Sequence, residues 1–326
     1  MTTRRTVLAG LTGLTASTAM GAGLSRAAAP VEVVATVAMI GDAVAAIGGD
    51  RVALTTLMGA GVDPHAYRQT RSDIAAMAGA DLVLWNGLYL EAQLEEFLET
   101  LSDRVPVTAV AERGVPEEQR IAHEDYAGEF DPHVWMVPDL WRGAVAAVRD
   151  ALVDIDPDGA VAYGEGHAAY DARLARLQSY AAETLATVPA ERRVLITAHD
   201  AFGYFGRRYD FEVLGIQGLS TASEAGLKRI DDLVSLIVER QIGAVFVESS
   251  VSDRNVRALI EGAAAAGHEV KIGGQLFSDA MGVPGSYEGT YPGMIDHNAT
   301  VIARALGGTA PERGLDGRLT PPTDAS

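Results

Sequence analysis

Short runs of β-branched and aliphatic residues alternate along the chain with longer Ala-rich stretches whose apolar positions recur every three or four residues. The first kind reads as buried strand, the second as amphipathic helix. In the first half the pattern predicts strands over Val31–Ala38, Val52–Met58, Asp81–Trp85 and Val105–Val110. Helices are predicted over Ile40–Ile47, Ser72–Ala78, Leu90–Leu101 and Asp139–Val153. The second half repeats the logic, with strands over Val194–Ala198, Glu212–Ile216, Ala244–Glu248 and Val270–Gly273. Its helices fall at Ala201–Tyr209, Gly226–Arg240, Asp253–Ala266 and Tyr291–Leu306. Regular alternation of strand and helix is the signature of parallel α/β sheets.

One segment breaks this rhythm. Asp156-Pro157 supplies an N-cap and a proline at the first helical position, and no further proline occurs until Pro189. Between them Tyr163, Tyr170, Leu174, Leu177, Ala181, Leu185 and Val188 form one apolar face. A continuous helix over Gly159–Val188 would run about 45 Å; Gly164 and Gly166 mark where a break into two shorter helices would fall. The fold expected is α/β, with two (β/α) globular domains carrying parallel sheets over 30–157 and 189–310. One long rigid helix, 158–188, joins them. The tail 311–326, rich in Pro, Gly, Asp and Thr, is expected to be frayed.

The first 29 residues are set apart as an export signal. Arg4-Arg5 precede a mild apolar run from Val7 to Leu24, which closes on Ala27-Ala28-Ala29. The paired arginines fit a twin-arginine signal with a small-residue cleavage site. The run is barely long enough to span a bilayer, and its Gly and Thr weaken it as an anchor. The expected product is a freely diffusing, monomeric periplasmic protein without a membrane anchor.

Charge and composition then narrow the function. With 26 Lys+Arg against 44 Asp+Glu, the net charge is −18, which gives no general attraction to nucleic acid or anionic lipid. There is no cysteine, so thiolate metal sites, iron–sulfur clusters and a cysteine nucleophile are excluded. No G-x-x-x-x-G-K-[ST] run occurs, so the chain has no P-loop ATP site of its own.

Seven histidines remain as candidate donors. Two share a tripeptide, Asp63-Pro64-His65 and Asp131-Pro132-His133, in which proline stiffens the loop presenting the imidazole. His199 follows the strand beginning at Val194, where ligands gather in open α/β sheets. Asp279 lies between Phe277 and Met281, just beyond another strand. Taken singly, each position also fits a structural role. Taken together, two donors from each half would put a metal in the cleft between them. Three imidazoles and a carboxylate suit Zn²⁺ or Mn²⁺. His123, in an acidic stretch, His167, on the exposed part of the long helix, and His268, at a helix end, are not expected to ligate. His297 is expected at most to support the site from outside.

Several motifs together resemble the metal-binding receptors of bacterial ABC importers, the zinc/manganese class called TroA-like or ZnuA-like. They are Gly61-Val62-Asp63-Pro64-His65-Ala66-Tyr67, Ala80 to Gly87, Asp131-Pro132-His133-Val134-Trp135, and Thr197 to Phe205. Gly215 to Gly226, Val245 to Ser250, Phe277 to Gly282, and Gly289-Thr290-Tyr291 leading to His297-Asn298 complete the set. The likeness covers roughly residues 31–308. It implies ligand roles for His65, His133, His199 and Asp279, and an orienting role beyond the ion for Glu248. It also implies a receptor that hands a divalent ion to a permease driven by a separate ATPase subunit. Zinc-specific members often carry a His-rich loop before the second ligand, whereas residues 112–130 hold only His123. Manganese-specific members often have Glu where this chain has His199. Many relatives are lipoproteins, and the cysteine they require is lacking here. Two other functions share the donor set: a metal-dependent hydrolase with Glu248 as base, and a receptor for an iron chelate.

Overall fold

The computed structural model describes residues 29–122, 128–223 and 225–321. Residues 1–28, read above as part of an export signal, His123, Glu224 and the last five residues of the tail, 322–326, lie outside these residues.

The chain begins with β1 (Val31–Val37), α1 (Ala38–Gly48), β2 (Val52–Met58), α2 (Arg71–Gly79) and β3 (Leu82–Trp85). Next come α3 (Glu95–Leu101), β4 (Val107–Ala109), the short α4 (Val110–Gly114) and α5 (Pro138–Ile155). The four strands form one parallel sheet in the order β2-β1-β3-β4. β1 and β3 are central and nearly wholly buried, which is why they read as unbroken apolar runs.

The long α6 (Ala160–Ala186) follows, entered through a single tight turn at Pro157–Gly159. It is unbroken. Gly166, where a kink was one expectation, instead allows close approach: a Cβ there would lie 2.6 Å from the Ile47 carbonyl of α1. α6 packs on α1 and α5 of the first lobe and on the last helix of the second. Arg51 pairs with Asp156 at its start, and Tyr163 donates to the same carboxylate at 2.7 Å.

The second lobe holds β5 (Val194–Thr197), α7 (Gly203–Tyr209), β6 (Glu212–Gly215), α8 (Leu227–Glu239), β7 (Ala244–Glu248), α9 (Arg254–Ala265), β8 (Lys271–Leu276) and α10 (Tyr291–Ala305). β5 pairs with β6 and β7 with β8, both in parallel, and β5 lies beside β7.

Three expectations need correction. β8 does not stop at Gly273 but continues to Leu276. Gly273-Gly274 form a bulge rather than an end, because a side chain at Gly273 would strike the Phe246 ring. The predicted helix at Leu90 starts only at Glu95, since Gly87, Leu88 and Tyr89 are all left-handed. Over its described residues, 311–321, the tail is packed rather than frayed: Leu319 is 3% exposed, and Asp296, on α10, accepts the Leu315 N–H at 3.0 Å. Thr320 N–H reaches Glu288 at 2.6 Å, and the Arg318 guanidinium lies over the Tyr287 ring. Polar composition suggested a loose end, yet the polar groups bind a buried carboxylate. A chain ending at Ala310 is therefore expected to lose about 2–4 kcal/mol of stability in urea unfolding, from an exposed apolar contact and an orphaned acid. An unchanged midpoint would show that the tail contributes nothing.

Candidate metal centre

The sheets of both lobes present their carboxyl ends to a common cleft, and each donor sits in a loop there. β2 ends at Met58, and a turn with Gly61 at φ +74° leads to Asp63 and His65. Asp63 Oδ1 accepts the backbone N–H of His65 at 2.9 Å. The second tripeptide repeats this turn: Asp131 Oδ1 accepts the N–H of His133 at 2.9 Å. A carboxylate two residues ahead, with proline between, thus fixes both loops in the same way. His199 is delivered two residues beyond β5, and Asp279 three residues beyond β8.

The four side chains meet. One donor atom from each of His65, His133, His199 and Asp279 lies within 4.8 Å of the other three, and all four residues are buried. His65 Nε2 is 3.3 Å from His133 Nε2. Asp279 Oδ1 is 3.4 Å from His133 Nε2, and its Oδ2 is 3.1 Å from His199 Nε2 and 3.9 Å from His65 Nε2. Ligands about 2.05 Å from a tetrahedral ion stand about 3.3 Å apart, so the three separations of 3.1–3.4 Å match edges of a coordination shell and the 3.9 Å one is wider. Both Asp279 oxygens and His199 Nε2 are buried without a hydrogen-bond partner. Orphaned polar atoms of this kind are costly unless a cation completes them.

Two acids behind the imidazoles aim them. Asp131 Oδ1 accepts from His133 Nδ1 at 2.7 Å, and Glu248 Oε2 accepts from His199 Nδ1 at 2.5 Å. A carboxylate on Nδ1 assigns the proton there and leaves Nε2 free to face the cleft. Glu248 also takes the His199 backbone N–H at 2.9 Å, so both its oxygens are committed. Asp63, at the same place in its tripeptide as Asp131, does not bond its histidine's ring in this way. It takes the His65 backbone and, on its other oxygen, the Thr221 hydroxyl at 2.5 Å.

Electrostatics follow from burial and these partners. Burial lowers His65 to about 3, so it stands neutral and ready to donate, although Asp279 opposes the shift. Burial also disfavours charge on His133, but Asp131 and then Asp279 outweigh it and raise the imidazole to about 9. His199 rises well above its usual value because Asp279 and Glu248 overcome its burial. Asp279 falls well below the carboxylate range, since His199 and His133 outweigh its desolvation. The ion-free cluster therefore holds protons that an incoming cation must displace. Loading at pH 7.5 is expected to release at least one proton per ion, measured as a buffer-dependent binding enthalpy. Enthalpies that ignore buffer identity would contradict this.

The other histidines among the described residues lie elsewhere. His268 Nε2 bonds the Ile242 carbonyl at 2.7 Å, and His297 Nε2 bonds the Gln275 carbonyl at 2.9 Å, with its ring tilted on Phe277. His297 thus braces the end of β8 rather than a donor ring. His167 is not on an exposed face: it is half-buried, with Nε2 shut away from solvent and unpartnered. Sequence reasoning passed over Asp131 and Thr221. The tripeptide displayed Asp131, but nothing in it says whether the acid bonds ring or backbone. Thr221 acts from the other lobe.

The family model for zinc-uptake complex component A periplasmic proteins matches residues 33–305. The zinc-binding protein TroA of Treponema pallidum is 47% identical over 274 residues, covering 84% of this chain and 88% of that one. The manganese-binding lipoprotein MntA of Bacillus subtilis is 45% identical over 279 residues, covering 85% and 90%. The solved structure of the periplasmic zinc-binding protein TroA superposes with a TM-score of 0.83 at 46% identity, covering 85% of this chain and 99% of that one.

Proposed function

The chain belongs to the zinc-uptake complex component A periplasmic family, and from that premise we propose that His65, His133, His199 and Asp279 hold the transported ion, with Glu248 and Asp131 orienting two of the imidazoles. The protein is a solute-binding receptor of an ABC metal importer, not an enzyme. Its cargo is a divalent transition ion, Zn²⁺ or Mn²⁺, which it passes to a permease served by a separate ATPase subunit. One observation carries the site assignment: four donors, far apart in sequence and buried, converge at coordination spacing.

The boundaries proposed are an amino-terminal lobe over 30–157, the connecting helix over 158–188 and a carboxyl-terminal lobe over 189–310. A single chain supplies every donor, which supports a receptor that works as a monomer. Among the described residues no helix is long and apolar enough to cross a membrane. Export by the twin-arginine route belongs to the same proposal and rests on Arg4-Arg5 with the apolar run behind them. Relatives named for zinc and for manganese stand at nearly equal identity, so likeness does not select between the metals. At a site of this kind Zn²⁺ is expected to bind more tightly than Mn²⁺ in vitro.

The two other readings lack support from the geometry. A hydrolase needs a free base at the metal, and both Glu248 oxygens are taken by His199. A chelate receptor needs room around the ion, and none of the four donor residues exceeds 4% exposure. Substitution separates site from background. His65→Ala, His133→Ala and His199→Ala are each expected to weaken Zn²⁺ binding at least a hundredfold by chelator competition. His167→Ala and His268→Ala should stay within threefold of the parent. Equal losses in both groups would show that the site is misassigned.

A further inference from the structure

The two edges of the metal centre are built differently. On one, hydrogen bonds tie the lobes together through buried aromatic side chains. Trp135 Nε1–H donates to the Ser278 carbonyl at 2.8 Å, beside Asp279. The Tyr291 hydroxyl donates to the Trp135 carbonyl at 2.8 Å, and the Tyr291 ring stacks on Trp141. The Tyr204 hydroxyl donates to the Asp131 carbonyl at 2.9 Å. This edge holds the loops of His133 and Asp279 in fixed relation.

The edge at His65 is thinner. There, Thr221 of the second lobe donates to Asp63 Oδ2 at 2.5 Å in a part-buried position. The other oxygen of Asp63 holds the His65 backbone. One carboxylate therefore links the loop after β6 to the peptide of a donor residue. Beside it lies a chamber of about 190 Å³ lined by His65, Leu88, Tyr89, Ala92, Phe130 and Ser220, among others. His65 is the one donor of the four on its wall. A second hollow of about 190 Å³ reaches Asp63 and Thr221 but no donor.

The first lobe's wall of the chamber is stiff. Gly87, Leu88 and Tyr89 are held left-handed, at φ 79°, 54° and 67°. Such a conformation in two non-glycine residues persists only where the surroundings enforce it. Buried Glu91 supplies the restraint, accepting from Asn86 N–H at 2.8 Å, Thr36 Oγ1 at 2.6 Å and Gly87 N–H at 3.3 Å. Glu112 takes the Leu88 N–H at 2.8 Å. The facing wall, Leu219–Ser223, has neither helix nor strand.

We propose that the ion enters and leaves past His65 through this chamber, and that the Thr221–Asp63 hydrogen bond is the latch that closes it. Thr221 is on this view a positioning residue, acting on His65 through Asp63. The proposal rests on the four-donor site described above.

Stopped-flow loading with Zn²⁺ and chelator-driven release test both parts in the full-length protein. Ala92→Trp places an indole in the chamber and is expected to slow association and release together, each about tenfold, with Kd within threefold of the parent. Ala222→Trp, on the facing wall, carries the same expectation if the first variant folds poorly. Thr221→Val keeps the side-chain shape, removes the donated bond and is expected to speed release about tenfold, the scale of one hydrogen bond to a charged acceptor. Thr221→Ser should restore the parent rate. Unchanged rates in a well-folded tryptophan variant overturn the route, and unchanged release from Thr221→Val overturns the latch. Failure of the parent protein to bind Zn²⁺ would instead strike the site assignment itself.

Discussion

Asp279→Ala is expected to lower affinity for Zn²⁺ at least a thousandfold, the largest loss at any single position. Asp279 is the only anionic donor of the four, is 2% exposed, and has no hydrogen-bond partner for either oxygen. Without the ion its negative charge is offset only by the neighbouring His199 and His133 imidazoles. Removing it takes away a ligand and the negative charge that offsets a dication in a water-poor site. It also removes the group that helps hold His133 and His199 protonated. The variant's ion-free fold should therefore survive, because a buried charge leaves with the side chain. Chelator competition gives the affinity and circular dichroism checks the fold. Binding within tenfold of the parent would remove Asp279 from the shell.

Stripping the ion is expected to lower the thermal midpoint by about 10 °C relative to protein in saturating Zn²⁺. Ligand present at a thousand times Kd stabilises the native state by about 4 kcal/mol, and in chains of this size each kcal/mol moves the midpoint by about 2–4 °C. The ion-free site explains why the native state gains so much. Two imidazole nitrogens face each other at 3.3 Å, and the Asp279 oxygens and His199 Nε2 are buried without partners. Calorimetry with and without chelator measures the difference, and Asp279→Ala should abolish it. A midpoint indifferent to Zn²⁺ would mean that the cluster is satisfied without an ion.

Much of the architecture was legible because its central strands are simple. β3 and β7 fall within a residue of where the apolar runs predict, since a strand covered on both faces has no reason to alternate. The long helix was legible from an apolar face between two prolines. Misreadings came where local composition and tertiary context disagree. Paired glycines look like the end of β8 but are a bulge under Phe246. A polar tail looks loose but its Leu315 amide binds Asp296.

The candidate site shows the same division. The repeated tripeptide and the end of β5 pointed to His65, His133 and His199, because each motif is local. The partners that orient those rings are not all local. Glu248 lies 49 residues from His199, and Thr221 lies 158 from Asp63. Asp131 and Asp63 occupy equivalent places in identical tripeptides and both hold their histidine's backbone, yet their second partners differ, a ring for Asp131 and an opposing hydroxyl for Asp63. That distinction arises from how the two lobes meet.

The most direct test of the account is anomalous diffraction at the zinc edge from crystals of Zn²⁺-loaded protein. The account predicts one strong peak per chain, about 2.0–2.2 Å from His65 Nε2, His133 Nε2, His199 Nε2 and an Asp279 oxygen. A peak elsewhere, or one that leaves any of the three imidazoles beyond bonding distance, would contradict it.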